Sequence, residues 1–275
     1  MTRVLLHAGF HKTGTKSVQQ FLRGHGDIVW RRAAYLQPAR MREIARLAFW
    51  YADDPGPAGL ALIRAETETL IGGLSLTHAA TGRPTRDLII SAENLCGPMP
   101  RGVGERFYPH APAIIGAVVQ GLAGAIPTLS GVTVYLSRRP RDAWIDSVHA
   151  HHLRRTEGPR MTMDRAEFAT SMPAIDLADE AQAITAAIPD THVLGHDITA
   201  LADARFGIAQ PFVDFLRLPD AALAKLGPVP HLHRAADAQV NDQLLALNRG
   251  GLDDAALAAA KAALLDTAGQ ARAAG

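Results

Sequence analysis

Residues 7–22 read HAGFHKTGTKSVQQFL, and they continue the apolar run RVLLHAGF, which begins at residue 3. An apolar strand that passes through a glycine-containing loop into a helix directs backbone N–H groups towards an anion. In such a loop, glycines let the backbone approach a phosphate, hydroxyl side chains donate hydrogen bonds and a lysine supplies a full positive charge. The residues of these types are Gly9, Lys12, Thr13, Gly14, Thr15 and Ser17. The segment therefore predicts a phosphate-binding loop at the start of a helix.

Short β-rich runs recur between helical patterns further along the chain. They read DLIISAEN from Asp87, GVTVYLSRR from Gly131 and THVLGHD from Thr191. Because these runs are almost wholly apolar, they are typical of strands buried on both faces of a parallel sheet. Candidate crossover helices span Thr13 to Gly24, Ala39 to Tyr51, Ala58 to Ala79 and Ala111 to Ala125. The pattern predicts an α/β fold with a parallel central sheet flanked by helices on both faces.

The length of 275 residues is compatible with one domain over residues 1–275, because a continuous α/β sheet often reaches about 250 residues. Two loops are expected, at residues 53–59 (DDPGPAG) and 226–234 (LGPVPHLHR). Residues 252–275 are rich in alanine, and Asp253 stands where it can cap a helix. We therefore expect a C-terminal helix there.

Composition restricts the partners and the compartment. Lys and Arg together number 28 and Asp and Glu 27, so nothing global favours nucleic acid or an anionic membrane as the main partner. The single cysteine, Cys96, excludes an internal disulfide and fits a reducing compartment. No apolar run approaches the roughly 20 residues of a membrane span. We expect a cytoplasmic protein with no transmembrane segment.

The loop departs from the usual nucleoside-triphosphate loop, because Thr15 stands between Gly14 and Lys16. It resembles the 5′-phosphosulfate loop of the sulfotransferase superfamily, whose members carry a Lys-x-Gly-Thr core. That core is here Lys12-Thr13-Gly14-Thr15. Bacterial members often continue with Thr-Ser or Ser-Leu-Gln, from which Lys16 departs. The resemblance implies a P-loop nucleotide-hydrolase-like (sulfotransferase) fold. It also implies 3′-phosphoadenosine 5′-phosphosulfate (PAPS) as the donor, 3′,5′-adenosine bisphosphate (PAP) as the product and no required metal.

A second anion site is implied by the same resemblance. In sulfotransferases, an Arg at a strand end and a Ser eight residues later hold the 3′-phosphate of the donor. Arg139 and Ser147 have this spacing, and Arg138 is the rival assignment. Related enzymes close a basic loop over the nucleotide near the C-terminus, and Arg234 is the candidate for that contact here.

The candidate base is Glu93, which follows the run DLIIS at the carboxyl edge expected of a parallel sheet. Glycan sulfotransferases often use Glu and cytosolic ones His, so a histidine base stays open. His11 is a secondary candidate that contacts the sulfuryl oxygens, whereas the strand residue His7 is more typical of a hydrogen-bonded core group. No metal site is expected at His149, His151 and His152, since no carboxylate or cysteine completes a ligand set in that segment.

Two other functions remain open at this stage. A small-molecule kinase would use Lys16, Ser17 and Mg²⁺, with Glu93 or Asp142 near the metal. A non-catalytic nucleotide-binding module would bind PAP without transfer. For a sulfotransferase, the sequence leaves the oligomeric state and the acceptor open: a small molecule, lipid or glycan bearing a hydroxyl or an amine. Residues 39–82 and 156–168 are expected to shape the acceptor pocket.

Overall fold

The structure is a computed structural model that describes residues 1–74, 76, 86–230 and 238–273. Only the backbone of residues 271–273 is described. Five strands form one all-parallel sheet in the order β2-β3-β1-β4-β5. The strands are β1 Thr2–His7, β2 Ala33–Leu36, β3 Asp87–Ser91, β4 Leu129–Arg138 and β5 His192–Asp197. In the central register, Leu5 pairs with Ile89 on one side and with Thr133 on the other. The α/β class and the parallel sheet are confirmed.

Helices connect the strands. In chain order they are α1 Thr15–Gly24, α2 Gly26–Val29, α3 Arg42–Asp53, α4 Pro57–Gly72, α5 Ala111–Ala125, α6 Arg141–Arg154, α7 Arg165–Ser171, α8 Leu177–Ala187, α9 Gln210–Leu216, α10 Asp220–Leu223, α11 Ala238–Arg249 and α12 Asp254–Ala273. Two short 3₁₀ helices cover Glu93–Cys96 and Gly207–Ala209. The expected C-terminal helix corresponds to α12, and the Asp253 carboxylate accepts a hydrogen bond from the backbone N–H of Ala256.

The chain divides into two compact units. The first unit comprises residues 1–99, 106–140 and 175–232 and holds the whole sheet. The second comprises residues 100–105, 141–174 and 233–275 and holds α6, α7, α11 and α12. Two compact units can belong to one domain. The single domain over residues 1–275 therefore stays a prediction.

The first unit has a core on each side of the sheet. On one face, Leu5 and Tyr135 pack with Phe21 of α1 and Phe212 of α9. The next residue along β1, Leu6, points to the opposite face and is also fully buried. The sheet centre is therefore covered on both faces, as the apolar runs predict. β5 is the exception: its residues are half-exposed or exposed because it is an edge strand.

Several predicted boundaries are wrong by a few residues. Helix α1 begins at Thr15 and not at Thr13, because Gly14 has a left-handed backbone that cannot belong to the helix. The loop predicted at residues 53–59 is shorter, since α3 includes Asp53 and Pro57 opens α4. The last part of the helix predicted to Ala79 and residues 231–234 of the second predicted loop lie outside the described residues. Strand β2 was not predicted.

Within the described ranges, no helix is both long enough and apolar enough for a bilayer crossing.

Candidate anion-binding site

The site lies where the direction of the chain connections reverses in the sheet. After β1 the chain passes to β2, on one side of the sheet, whereas after β4 it passes to β5, on the other side. Because β1 and β4 are adjacent and parallel, their carboxyl ends frame the crevice in which open α/β sheets bind ligands. The β1–α1 loop (residues 8–14) and Arg139 both follow these strand ends.

The β1–α1 loop contains two left-handed residues. Lys12 has φ of 67° and Gly14 has φ of 86°. A non-glycine residue in this conformation costs roughly 1–2 kcal/mol, so the rest of the structure must hold Lys12 there. Gly14 is the N-cap of α1 and, as a glycine, offers no side chain to cap it. The N–H groups in the first turn of an α-helix have no intrahelical acceptors, and they carry partial positive charge.

Glycines 9 and 14 stand where the structure leaves no room for a side chain. A Cβ at Gly9 would lie 2.4 Å from Nε2 of His7 and 2.5 Å from Oγ of Ser137. A Cβ at Gly14 would lie 2.7 Å from Cδ1 of Ile208. Both positions were selected from sequence as close-approach glycines, and the packing gives each a physical reason.

The hydroxyl groups of the loop differ in their surroundings. Thr15 is buried, and among the described residues its Oγ1 has no hydrogen-bond partner. A buried unpartnered hydroxyl at a helix N-terminus suits a bound anion oxygen. Thr13 is buried too, but its Oγ1 donates to the carbonyl of Phe10 and contacts Oγ of Ser137, both at 2.6 Å. Thr13 therefore supports the loop, while Thr15 is the candidate for phosphate contact.

Lys16 and Ser17 lie in the first turn of α1. The Lys16 side chain is exposed, and Ser17 is half-buried. The Ser17 N–H donates to the carbonyl of Gly14 over 3.0 Å. Lys12 is half-buried within the loop itself, so it is the better placed of the two lysines for a ligand held by the loop.

Glu93 opens the 3₁₀ helix that starts two residues after β3, rather than ending the strand as the run DLIISAEN suggested. It is half-buried, and its Oε2 accepts a hydrogen bond from Nε2 of Gln19 on α1 over 3.3 Å. Gln19 also donates to the carbonyl of Ser91 over 3.2 Å. Glu93 is thus tied to both β3 and α1, at the carboxyl edge of the sheet.

His11 occupies the same edge, with both ring nitrogens in hydrogen bonds. Its Nδ1 lies 3.2 Å from the Tyr108 hydroxyl, which also accepts from the His11 backbone N–H at 3.3 Å. Because the Asn94 Oδ1 atom can only accept, the Nε2–H of His11 donates to it over 3.1 Å. Burial lowers the pKa of His11, although Asn94 and the Glu93 carboxylate act in the opposite direction. The contact of His11 with sulfuryl oxygens stays a prediction.

The two candidate arginines differ in their contacts. Arg138 ends β4, and its Nη2 reaches the carbonyl of Gly195 on β5 at 3.4 Å, while its Nε is buried without a described partner. Arg139 is half-exposed and forms no ion pair or hydrogen bond with another described residue. Arg139 is therefore the freer guanidinium of the pair. Ser147 lies on α6 in the second unit, so the binding of one phosphate by both Arg139 and Ser147 stays a prediction. Arg234 lies outside the described residues.

The histidines of α6 support the second unit. Nε2 of His149 donates to the carbonyl of Met163 over 2.9 Å, and Nε2 of His152 donates to that of Pro100 over 2.6 Å. Burial lowers the pKa of His152 to about 4. In the part of the chain that the structure describes, no three His, Cys, Asp or Glu side chains gather as metal ligands.

The residues of the site that were missed from the sequence include Gln19, Ser91 and Ser137. Ser91 and Ser137 each interrupt an apolar strand at its carboxyl end. A polar residue at that place in a buried strand is the signal that could have found both. Gln19 stands one turn into α1, where nothing local distinguishes it from a solvent-facing glutamine.

Comparison with known proteins adds no family to this picture, because no family model, curated protein or solved structure matches the chain. Fold and site define a class: a parallel α/β protein, consistent with the P-loop type of nucleotide-binding fold, with a candidate anion site at the carboxyl edge of its sheet.

Proposed function

We propose that the protein is a sulfotransferase that moves a sulfuryl group from PAPS to a hydroxyl or amine of its acceptor. The observation that carries the proposal is the β1–α1 loop. Its Lys12-Thr13-Gly14-Thr15 core combines a left-handed lysine, a glycine N-cap and a buried Thr15 hydroxyl that has no partner among the described residues. This combination matches a phosphosulfate loop better than it matches a nucleoside-triphosphate loop. In the nucleoside-triphosphate loop, the lysine directly follows the second glycine.

The loop residues bind the donor in this proposal. Lys12, the N–H groups at the start of α1 and the Thr15 hydroxyl hold the 5′-phosphosulfate. Lys12 also stabilises the negative charge that develops on the 5′-phosphate as its bond to sulfur breaks. Arg139 and Ser147 hold the 3′-phosphate, because a planar guanidinium can donate two parallel hydrogen bonds to phosphate oxygens.

Glu93 accepts the proton of the acceptor while the acceptor oxygen or nitrogen forms its bond to sulfur. Its half-buried position and its neutral contact with Gln19 support this role, since the amide of Gln19 orients the carboxylate without neutralising it. In-line transfer depends chiefly on alignment and charge neutralisation. The loop and the base lie at one edge of the sheet, as this alignment requires. His11, whose Nε2–H donates to Asn94, is the secondary candidate at that edge.

Calorimetry tests the donor site directly, with PAP and ATP titrated in turn, each with and without Mg²⁺. We expect PAP to bind without Mg²⁺. Lys12→Ala should weaken PAP about tenfold or more, because it removes a charge-assisted contact worth roughly 1.5–3 kcal/mol. Lys225→Ala is the matched control, since it removes the same charge from an exposed position in the first unit.

The outcomes separate the three functions. ATP binding that requires Mg²⁺, with no affinity for PAP, would favour the kinase. PAP binding with no transfer from PAPS to any compound in a screen of small-molecule, lipid and glycan acceptors would favour the interaction module. Equal PAP affinities of Lys12→Ala and the wild type would remove the proposed site.

A further inference from the structure

A chain of hydrogen-bonded side chains lies beneath the β1–α1 loop, entirely within the first unit. It runs from Gln19 to Ser91, His7, Ser137 and Thr13. All five side chains are buried, with at most 7% of any residue exposed. We call these residues the His7 chain. It joins α1 and the carboxyl ends of β3, β1 and β4 to the loop.

The direction of the hydrogen bonds is fixed at the loop end. The Phe10 carbonyl can only accept, so the Thr13 hydroxyl donates its proton to it over 2.6 Å. Thr13 can then only accept from Ser137, whose Oγ is 2.6 Å away. Ser137 in turn has no proton left for His7. The bond of 3.1 Å between Ser137 and Nε2 of His7 is therefore donated by the imidazole.

The opposite end is compatible with this assignment. Nε2 of Gln19 is a donor, 3.4 Å from Oγ of Ser91. The proton of that hydroxyl is thus available to Nδ1 of His7, 2.9 Å away. The loop end therefore assigns the neutral Nε2–H tautomer, in which Nδ1 accepts the proton of the Ser91 hydroxyl. Burial lowers the pKa of His7 to about 3, which agrees with an uncharged ring.

The loop backbone depends on this chain. The Thr13 side chain folds back on the carbonyl of Phe10 and so closes the turn that contains the left-handed Lys12. The backbone at Gly9 lies directly against the bond between His7 and Ser137, since a Cβ there would be 2.4 Å and 2.5 Å from the two bonded atoms. We therefore expect a change in that bond to alter the position of the loop.

We propose that His7 is a positioning residue of the anion site: as a donor through Nε2–H it fixes Ser137 and Thr13, and through them the backbone of Lys12. His7 is 1% exposed, so it acts through these residues and not on the ligand. The proposal rests on the proposed function, because the anion site is that of the donor nucleotide.

Two amide variants of His7 provide the test. The side-chain nitrogen of His7→Gln can reach the position of Nε2, whereas that of His7→Asn reaches only the position of Nδ1. Calorimetry with PAP should show His7→Gln within about threefold of the wild type and His7→Asn weaker by about tenfold or more. Chemical denaturation should show similar losses of stability for the two variants, so that the difference in affinity reports positioning. Equal affinities of the two variants would overturn the proposal.

Substitutions at the neighbours of His7 keep the test decisive if His7→Asn does not fold. Ser137→Ala removes the acceptor of the Nε2–H and should also weaken PAP about tenfold. Tyr135→Phe is the control, because the Tyr135 ring stacks on His7 at 5.0 Å while its buried hydroxyl has no described partner. Unchanged affinity is expected for Tyr135→Phe. A Ser137→Ala variant with wild-type affinity would contradict the proposal.

The tautomer of His7 separates this proposal from the proposed function. Nitrogen-15 NMR of the ligand-free protein at pH 7 should show the Nε2–H form. An Nδ1–H or doubly protonated ring would overturn the positioning role, whatever the ligand. Wild-type protein with an Nε2–H ring and no affinity for PAP would instead overturn the proposed function alone.

Discussion

Glu93 and Lys12 are the residues on which the proposed chemistry depends, and both are half-buried at the same edge of the sheet. The contact of Glu93 with the Gln19 amide orients one carboxylate oxygen and leaves the negative charge unneutralised. The Glu93 charge also acts on the neighbouring His11 ring, whose pKa it raises against the larger effect of burial. Because both ring nitrogens of His11 are already in hydrogen bonds, Glu93 is the candidate base of the pair.

Glu93→Gln tests that assignment at the scale of one residue. The substitution keeps the shape of the side chain and removes its basicity, so transfer to any acceptor that the wild type modifies should fall by roughly 10²–10⁴-fold. PAP affinity should stay within about twofold, since the carboxylate does not hold the nucleotide. Glu66→Gln on α4 is the control. Steady-state rates that match the wild type would show that Glu93 is not the base.

At the scale of an element, the start of α1 sets the geometry of the β1–α1 loop. Gly14→Ala places a methyl group 2.7 Å from Ile208 and forces a left-handed alanine. We expect a loss of stability of about 1–2 kcal/mol and a loss of PAP binding. Gly24→Ala, in the same helix, is the matched control, because among the described residues no atom outside the local helix backbone lies within 4 Å of its added Cβ.

Gly24→Ala should leave PAP affinity unchanged and raise stability by up to about 1 kcal/mol, as a helical alanine does relative to glycine. Chemical denaturation and calorimetry check both variants. Wild-type PAP affinity in Gly14→Ala would contradict the role given to the left-handed cap.

Elements with a strong local pattern could be predicted from the sequence. Helix α5 is found at the predicted residues, and the run DLIIS is β3, because an apolar segment bounded by polar residues determines its own structure. Strand β2 was missed since AAYL has only four residues and two alanines, which carry little β preference. The start of α1 depends on the backbone of Lys12 and Gly14, which tertiary contacts impose.

At the scale of the whole molecule, buried histidines couple stability to pH. The folded pKa of His7 is about 3 and that of His152 about 4, both below the ordinary value of 6.5. Below pH 6.5 the unfolded chain therefore binds protons that the folded chain refuses. The contribution of the two histidines to the free energy of unfolding is complete above about pH 6.5. It declines as the pH falls towards about 4, the pKa of His152, and then towards about 3, the pKa of His7.

Each such histidine contributes up to about 1.4 kcal/mol per pH unit to the slope of the free energy of unfolding against pH. Urea denaturation between pH 5 and 6.5 should therefore show a smaller pH dependence for His7→Gln than for the wild type, with the contribution of His152 retained. Identical slopes for the two proteins would mean that His7 is not held neutral in the folded state.

Part of the candidate site can be proposed from the sequence, because its loop is one continuous segment. The sequence identifies Gly9 to Ser17 as one segment, but the pairing of Thr13 with Ser137 joins residues 124 apart in the chain. The order of the strands decides that pairing, and no residue pattern shows that β4 lies beside β1. The supporting residues beneath the loop could be identified only once the sheet was known.

A crystal structure of the protein with PAP would locate both phosphates of the nucleotide. It should show the 5′-phosphate within hydrogen-bond distance of Lys12 Nζ and of the backbone N–H groups at the start of α1. It should also show the 3′-phosphate on Arg139 and Ser147. PAP bound with its 5′-phosphate away from the β1–α1 loop would contradict the account.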